Sequence, residues 1–219
     1  MEFFPKVIFT FNIFGRAIPI TETVVITWGI MVVLIVFGYL LGRSFENNPQ
    51  KLQEIIEVYY EGIESLVKTT MGTNRREFIP YVGVLGLYLI VANLIGLVSL
   101  RPPTADLSTT LALALITFTL TTVEGIKSKG LLRYIKGFFE PLAFMVPLNI
   151  IGAITNPMSL AFRLFGNILG GMVVISLVYS AAPILVPIPL HFYFDIFSGL
   201  LQTFIFIMLT LTFVSMETE

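Results

Sequence analysis

The sequence predicts an all-α membrane protein, with five membrane-crossing helices and one amphipathic surface helix forming a single membrane domain over residues 1–219. Three observations carry this prediction. Hydrophobic residues make up 56% of the chain and charged residues 12%, with mean hydropathy +0.89, whereas about a quarter of a soluble domain is charged. Apolar runs of the roughly 20 residues needed to cross a hydrocarbon core recur along the chain. One stretch, 51–71, instead places charge and apolarity on opposite sides at helical spacing.

The same composition excludes several classes. A chain of 219 residues that spends most of its length on spans has no room for a separate catalytic domain. Zero cysteines exclude disulfides and thiolate sites, and the single histidine, His191, makes an imidazole metal cluster implausible. No cofactor or metal is expected. A net charge of −1 gives no indication of nucleic-acid binding.

Residues 1–19 mix apolar side chains with Lys6 and Arg16 and are broken by Pro5, Gly15 and Pro19, which predicts an irregular external arm. It lacks the order of a signal peptide, in which basic residues precede a short apolar core and a small-residue cleavage site. Residues 20–42 form the first span, ended by Gly42-Arg43. In 51–71, Leu52, Ile55, Ile56, Tyr59, Tyr60, Ile63, Leu66 and Val67 oppose Glu54, Glu57, Glu61, Glu64 and Lys68. This is the surface helix, expected to pack on its own protein.

Residues 78–100 and 107–125 are the second and third spans, joined by Arg101-Pro-Pro-Thr-Ala-Asp106. Asp106 stands where it can cap the helix that follows. The third span is rich in hydroxyls, from Ser108 to Thr122, and ends near Glu124; such groups bridge helices or line a wet path. Gly125 to Gly137 reads as a basic loop. Residues 138–180, apolar from Pro141 to Ser180 and interrupted by Pro147 and Pro157, are twice the length of a perpendicular span. Periodicity does not separate two helices from one steeply tilted helix. After a proline-rich turn at 181–189, residues 190–216 are the final helix.

Arg163 lies near the middle of that long apolar stretch. Its guanidinium cannot lose its proton, and a cation at mid-bilayer costs roughly 2.5–3.5 kcal/mol on insertion scales. The segment offers no carboxylate to pair with it, so the charge is expected to serve binding or movement. At 100° per residue, Asn149, Asn156, Arg163 and Gly170 recur every seven positions with Ser159 and Asn167 beside them, so one helix face is polar. Gly166 and Gly170 form a small-xxx-small pair on that face, which points to a close-fitting partner helix. In the last helix, His191, Asp195, Ser198 and Gln202 share a face. A carboxylate within a membrane helix is a functional candidate, whereas His191 near the helix start serves equally as a cap or as a relay, and Gln202 suits a hydrogen bond across a helix pair.

Lys and Arg counts set the orientation. Arg43, Lys51, Lys68, Arg75, Arg76, Lys127, Lys129, Arg133 and Lys136 fall on one side, against Lys6, Arg16 and Arg101 on the other. The N-terminus is therefore expected outside and the C-terminus in the cytoplasm.

Ser159-Leu-Ala-Phe-Arg163-Leu-Phe-Gly-Asn167 resembles the signature of the subunit a family of F-type ATP synthases. Pro103-Thr-Ala-Asp-Leu-Ser-Thr-Thr-Leu111 and Gln202-Thr-Phe-Ile-Phe-Ile-Met-Leu-Thr-Leu211 are similar to it as well, and the likeness covers most of the chain from Phe78 onward. The resemblance implies a non-catalytic stator in a bacterial plasma membrane, working with a ring of c subunits, peripheral-stalk b subunits and the whole synthase. It implies that the last two helices are long and strongly inclined around the c ring. It further implies that Arg163 faces the ring carboxylates and that Asn167, Asp195, Gln202, His191, Asp106, Asn149 and Asn156 line two offset half-channels carrying H+, with Na+ as the alternative. Family prevalence favours protons.

This chain departs from the family pattern in places. Nine residues after the arginine, where many members have a carboxylate, stands Met172; seven before the glutamine, where some have histidine, stands Asp195. The role of acid is therefore carried to Asp195. Gly152 and Ala153 stand where relatives often have acids, which leaves Asn149, Thr155 and Asn156 as the polar groups on that side. Two rival readings are a secondary transporter holding an anionic substrate at Arg163, against which stands the lack of similar halves, and an intramembrane hydrolase, against which stands the lack of a Gly-x-Ser-x-Gly elbow.

Overall fold

The computed structural model describes residues 6–13, 16–47, 50–73, 75–98, 100–139, 144, 146–182 and 185–218. Five helical stretches among them are long and apolar enough to cross a membrane: Glu22–Arg43, Arg76–Val98, Leu107–Lys129, Val146–Ala181 and Pro187–Thr218. The all-α membrane class is thus observed, with one exception at the N-terminus. There the chain forms an antiparallel hairpin, β1 (Val7–Ile13) with β2 (Arg16–Thr21), where an irregular arm is expected. Pro19 does not prevent this, because a two-stranded ribbon consists only of edges and a missing N–H can face away from the partner. The hairpin leads directly into α1 (Glu22–Asn47), so the first helix starts two residues later than expected and runs further.

Helix α1 is bound loosely, with Thr23 and Ile30 its only described buried residues. Much of its remaining apolar surface, including Trp28, Val33, Ile35 and Tyr39, is exposed, as suits a helix solvated by lipid. Helix α2 (Gln50–Met71) is the amphipathic helix. It buries Ile63 and Val67 against Val82 of α3 (Ile79–Leu94) and Leu211 of the last helix, leaving Glu54, Glu57 and Glu61 exposed. The Tyr59 hydroxyl donates to the Gly83 carbonyl at 2.7 Å, and burial lifts that hydroxyl above its ordinary range, so it remains a donor.

Turns of 3₁₀ helix flank α3 at Arg76–Phe78 and Ile95–Val98, and another, Pro103–Ala105, precedes α4 (Leu107–Lys129). The expected basic loop at 125–137 is instead helical. Helix α4 continues to Lys129, turns at Gly130 with φ 80°, and gives way to the short α5 (Leu131–Gly137). Basic side chains suit the last turn of a helix, where they face its partial negative charge, so their density here does not mark a loop.

Pro141, the expected start of the apolar stretch, lies outside the described residues. From Val146 to Ala181 the chain is one helix, α6, of 36 residues with Pro157 inside it. At 1.5 Å per residue it is about 54 Å long. Set perpendicular it would overshoot a hydrocarbon core of about 30 Å, so its length favours steep inclination. The final stretch is α7 (Pro187–His191), a π-helical turn (Phe192–Ser198) and α8 (Gly199–Thr218), continuous and flanked by α3, α4 and α6. Helix α8 occupies the centre: Phe206 packs with Leu85, Leu89, Leu160 and Leu164, and Ile207, Leu211 and Val214 pack toward α2 and α3.

Candidate ion-translocation site

Helix α6 has two unlike faces. Leu160, Ala161, Leu164 and Ile168 are buried in the core, while Asn156, Ser159, Arg163, Gly166, Asn167 and Gly170 are exposed. The polar stripe therefore looks outward. A Cβ placed on Gly166 or Gly170 would meet nothing within 4 Å, so no described residue of this chain is the close-fitting partner expected for these glycines. Among the described residues, Arg163 forms no salt bridge. One turn further along, the Asn167 amide donates to Gln202 Oε1 at 2.6 Å. Gln202 is buried, so this bond joins α6 to α8 beside the arginine.

Beyond Arg163, toward the C-terminal end of α6, a cavity of about 310 Å³ opens between α6, the π-helical turn and the 96–102 connection. Its walls bring Asp195 and Met172 together, with Lys6, Glu22 and Arg101 also lining it. His191 Nδ1 lies 2.6 Å from Asp195 Oδ2 and Nε2 lies 3.0 Å from the Tyr179 hydroxyl. Beside an ionised carboxylate, which can only accept, Nδ1 is the donor, and a neutral imidazole then accepts at Nε2 from the phenol. The side chains form a chain Tyr179–His191–Asp195 leading into the cavity. Asp195 belongs to the π-helical turn, a rare geometry often found at functional positions. Gly171 admits this turn, since a Cβ there would lie 3.1 Å from Phe194, whereas a Cβ on Gly96 would make only ordinary contact with the Asp195 carboxyl at 3.6 Å.

Asp106 is not among the residues lining this cavity. Its Oδ1 accepts from the Ser108 N–H at 3.2 Å, capping α4, and its Oδ2 accepts from the Thr23 hydroxyl at 3.0 Å, tying α4 to α1.

On the other side of Arg163, two cavities of about 440 and 60 Å³ share Tyr134, Ala153, Asn156, Met216 and Glu217. Asn149 lines the larger one, and its amide also donates to the Phe138 carbonyl at 2.9 Å. Thr155 is exposed and lines neither. Burial pushes the Tyr134 hydroxyl above its ordinary range, and the Glu217 carboxylate adds to the rise. Along α6, Asn156 lies about 10 Å before Arg163 and Met172 about 13 Å after it.

Glu217 and Tyr134 escape the sequence reading because they sit in a chain terminus and in an assumed loop. Asn93 escapes it too, though an amide in an apolar span is itself a signal. Fully buried, it donates to the Gly199 carbonyl and the Thr203 hydroxyl, both at 3.1 Å, and accepts from Thr104 at 2.7 Å.

An outward-facing arginine thus stands between cavities toward the two ends of α6. The family model described as ATP synthase A chain matches residues 24–215. The chain belongs to that family. It is 36% identical over 212 residues to a protein of Propionigenium modestum named ATP synthase subunit a, sodium ion specific, covering 90% of this chain and 73% of the relative. It is 35% identical over 224 residues to ATP synthase subunit a 1 of Pelobacter propionicus, covering 100% of this chain and 96% of the relative. A match to subunit a of Moorella thermoacetica is 36% identical, over 90% of this chain and 91% of the relative. Family members are non-catalytic, ion-translocating membrane subunits of the rotary ATP synthase, and so is this chain. The reading as a secondary transporter finds no support.

Proposed function

We propose that this chain forms two offset half-channels against a ring of c subunits, with Arg163 between them. The observation that carries the reading is the position of Arg163 on the open, glycine-flanked face of α6, with the Asp195 cavity on one side along the helix and the Asn156 cavity on the other. A cation entering from outside passes Asp195 with its His191 and Tyr179 partners and neutralises a ring carboxylate. The neutral site can then turn through lipid without the cost of exposing a charge there. On reaching Arg163 the ring carboxylate meets a fixed cation, which favours its ionised form, and the cation leaves along Asn156 and Asn149. The guanidinium also bars a continuous cation path between the two cavities, which prevents leakage. Asn167 and Gln202 hold the two helices in register beside it. Asp106 anchors the end of α4 near the outer side.

In this reading the hairpin lies outside and the C-terminus in the cytoplasm of a bacterial cell, and b subunits of the peripheral stalk complete the stator. The coupling ion is the proton: the Tyr179–His191–Asp195 chain offers consecutive groups that exchange protons. Sodium is the second reading, favoured by the printed name of the Propionigenium modestum relative. Arg163→Ala in the whole synthase is expected to abolish gradient-driven ATP synthesis while leaving assembly intact, and normal coupled synthesis by that variant would refute the stator reading. ATP hydrolysis by the complex at alkaline pH separates the ions. Indifference to sodium supports protons, and strong activation by millimolar sodium, with protection of the ring carboxylate from carbodiimide, overturns the proton assignment alone.

A further inference from the structure

We propose that Glu217 is the working acid of the inner half-channel, the carboxylate that receives the coupling cation after it leaves the ring beside Arg163 and passes it to the inner water. The inference rests on the half-channel reading above and adds to it a residue from the last helix. Below Arg163, the α6 residues that line the inner cavities carry no ionisable group: Asn149 and Asn156 are amides, Gly152 and Ala153 are small, and Leu148, Pro157 and Leu160 are apolar. An amide neither binds a proton at ordinary pH nor neutralises a cation, so a path made only of these groups holds nothing between ring and water. Glu217 is the one carboxylate among the described residues that line either cavity, and it lies in the wall the two cavities share with Asn156 and Tyr134.

Its surroundings suit transfer. Thr117, Thr121 and Thr122 on α4 line the smaller cavity with it. At the larger one, Lys129 and Arg133 line the wall. Their positive charge disfavours long residence of a bound cation beside them. The position is also held. The Ser128 hydroxyl donates to the Thr218 carbonyl at 2.9 Å, fastening the end of α8 to α4. Gly125 admits the Tyr134 ring beside Glu217, since a Cβ there would lie 2.9 Å from the ring and 3.4 Å from Glu217 Cβ. An acid in the last turn of a helix is opposed by the helix dipole, so helix stability does not account for Glu217 at this place. For a proton the step is an exchange: the ring carboxylic acid loses its proton to the Glu217 carboxylate, which becomes the neutral acid and then releases that proton to water, returning to its anion.

The test measures gradient-driven ATP synthesis per assembled synthase in vesicles, with Arg163→Ala run alongside. Glu217→Gln keeps shape and removes the charge, and is expected to lower the rate about tenfold, while Glu217→Asp retains most of it. Gly152 lines the larger cavity and a Cβ there meets nothing within 4 Å, so Gly152→Glu placed in the Glu217→Gln background is expected to restore at least half of the rate. A Glu217→Gln rate within twofold of the wild type overturns the proposal, and so does a loss that neither Asp nor the relocated Gly152→Glu acid relieves, which marks a packing role. If Glu217→Gln assembles poorly, Glu217→Ala is compared with Gly152→Glu/Glu217→Ala, where no gain from the relocated acid overturns it. In each case loss of synthesis in Arg163→Ala shows that the half-channel reading stands, and normal synthesis there shows that this reading itself has failed.

Discussion

Replacing Asp195 by Asn and Met172 by Glu tests whether the acid of the outer half-channel can be moved from one helix to the other. Asp195→Asn removes the charged partner of His191 at 2.6 Å. Hydrogen bonds to charged groups contribute about 1.5–3 kcal/mol and neutral ones about 1 kcal/mol, so a transiting cation loses on the order of 1–2 kcal/mol of stabilisation there. At 1.36 kcal/mol per tenfold, ion-driven ATP synthesis is expected to fall about 5- to 30-fold. Met172 lines the same cavity of about 310 Å³, and glutamate is close to methionine in length and bulk, so Met172→Glu places a carboxylate in the same water without overpacking the wall. The double variant is expected to recover to within about threefold of the wild type. The assay is the initial rate of ATP synthesis under an imposed gradient in vesicles, per assembled complex. A double variant as slow as the product of two independent losses shows that the two positions do not serve one cavity, and the argument from shared walls falls.

Other outcomes follow from the same geometry. Arg163→Lys keeps the charge but loses the planar fork of donors; coupled synthesis is expected to drop at least tenfold, and a rate near wild type would show that a point charge suffices. Asn93→Ala removes three buried hydrogen bonds, each worth about 0.6 kcal/mol in membrane proteins, and opens a small void, so detergent unfolding should register a loss of about 2–4 kcal/mol; a change below about 0.5 kcal/mol contradicts the role of this network in joining α3 to α8. Gly170→Leu meets open space in the chain, so the thermal stability of the isolated subunit is expected to stay the same or rise slightly while copurification with the c ring is lost; retained ring binding would place the ring elsewhere.

What the sequence determines by itself is what depends on local period and on the cost of charge in lipid. The five spans, the amphipathic helix packed on its own protein and the exceptional standing of Arg163 all follow from which side chains recur on one helix face and from what water or hydrocarbon does to them. The sharing of a face by His191 and Asp195 follows from their spacing of four. Only the tertiary structure decides which residues of different helices meet. That Met172 and Asp195 open into one cavity depends on how closely Gly171 lets Phe194 approach α6, a distance no periodicity contains. The meeting of Glu217 with Asn156 depends likewise on Gly125 and Ser128 fastening α8 beside α4. The hairpin at the N-terminus was illegible because strand formation there requires a partner rather than a pattern. Arg163 shows the division within one residue: its cost in the bilayer is written in the sequence, while its outward aim on α6 is set by Leu160, Leu164 and Ile168 claiming the core.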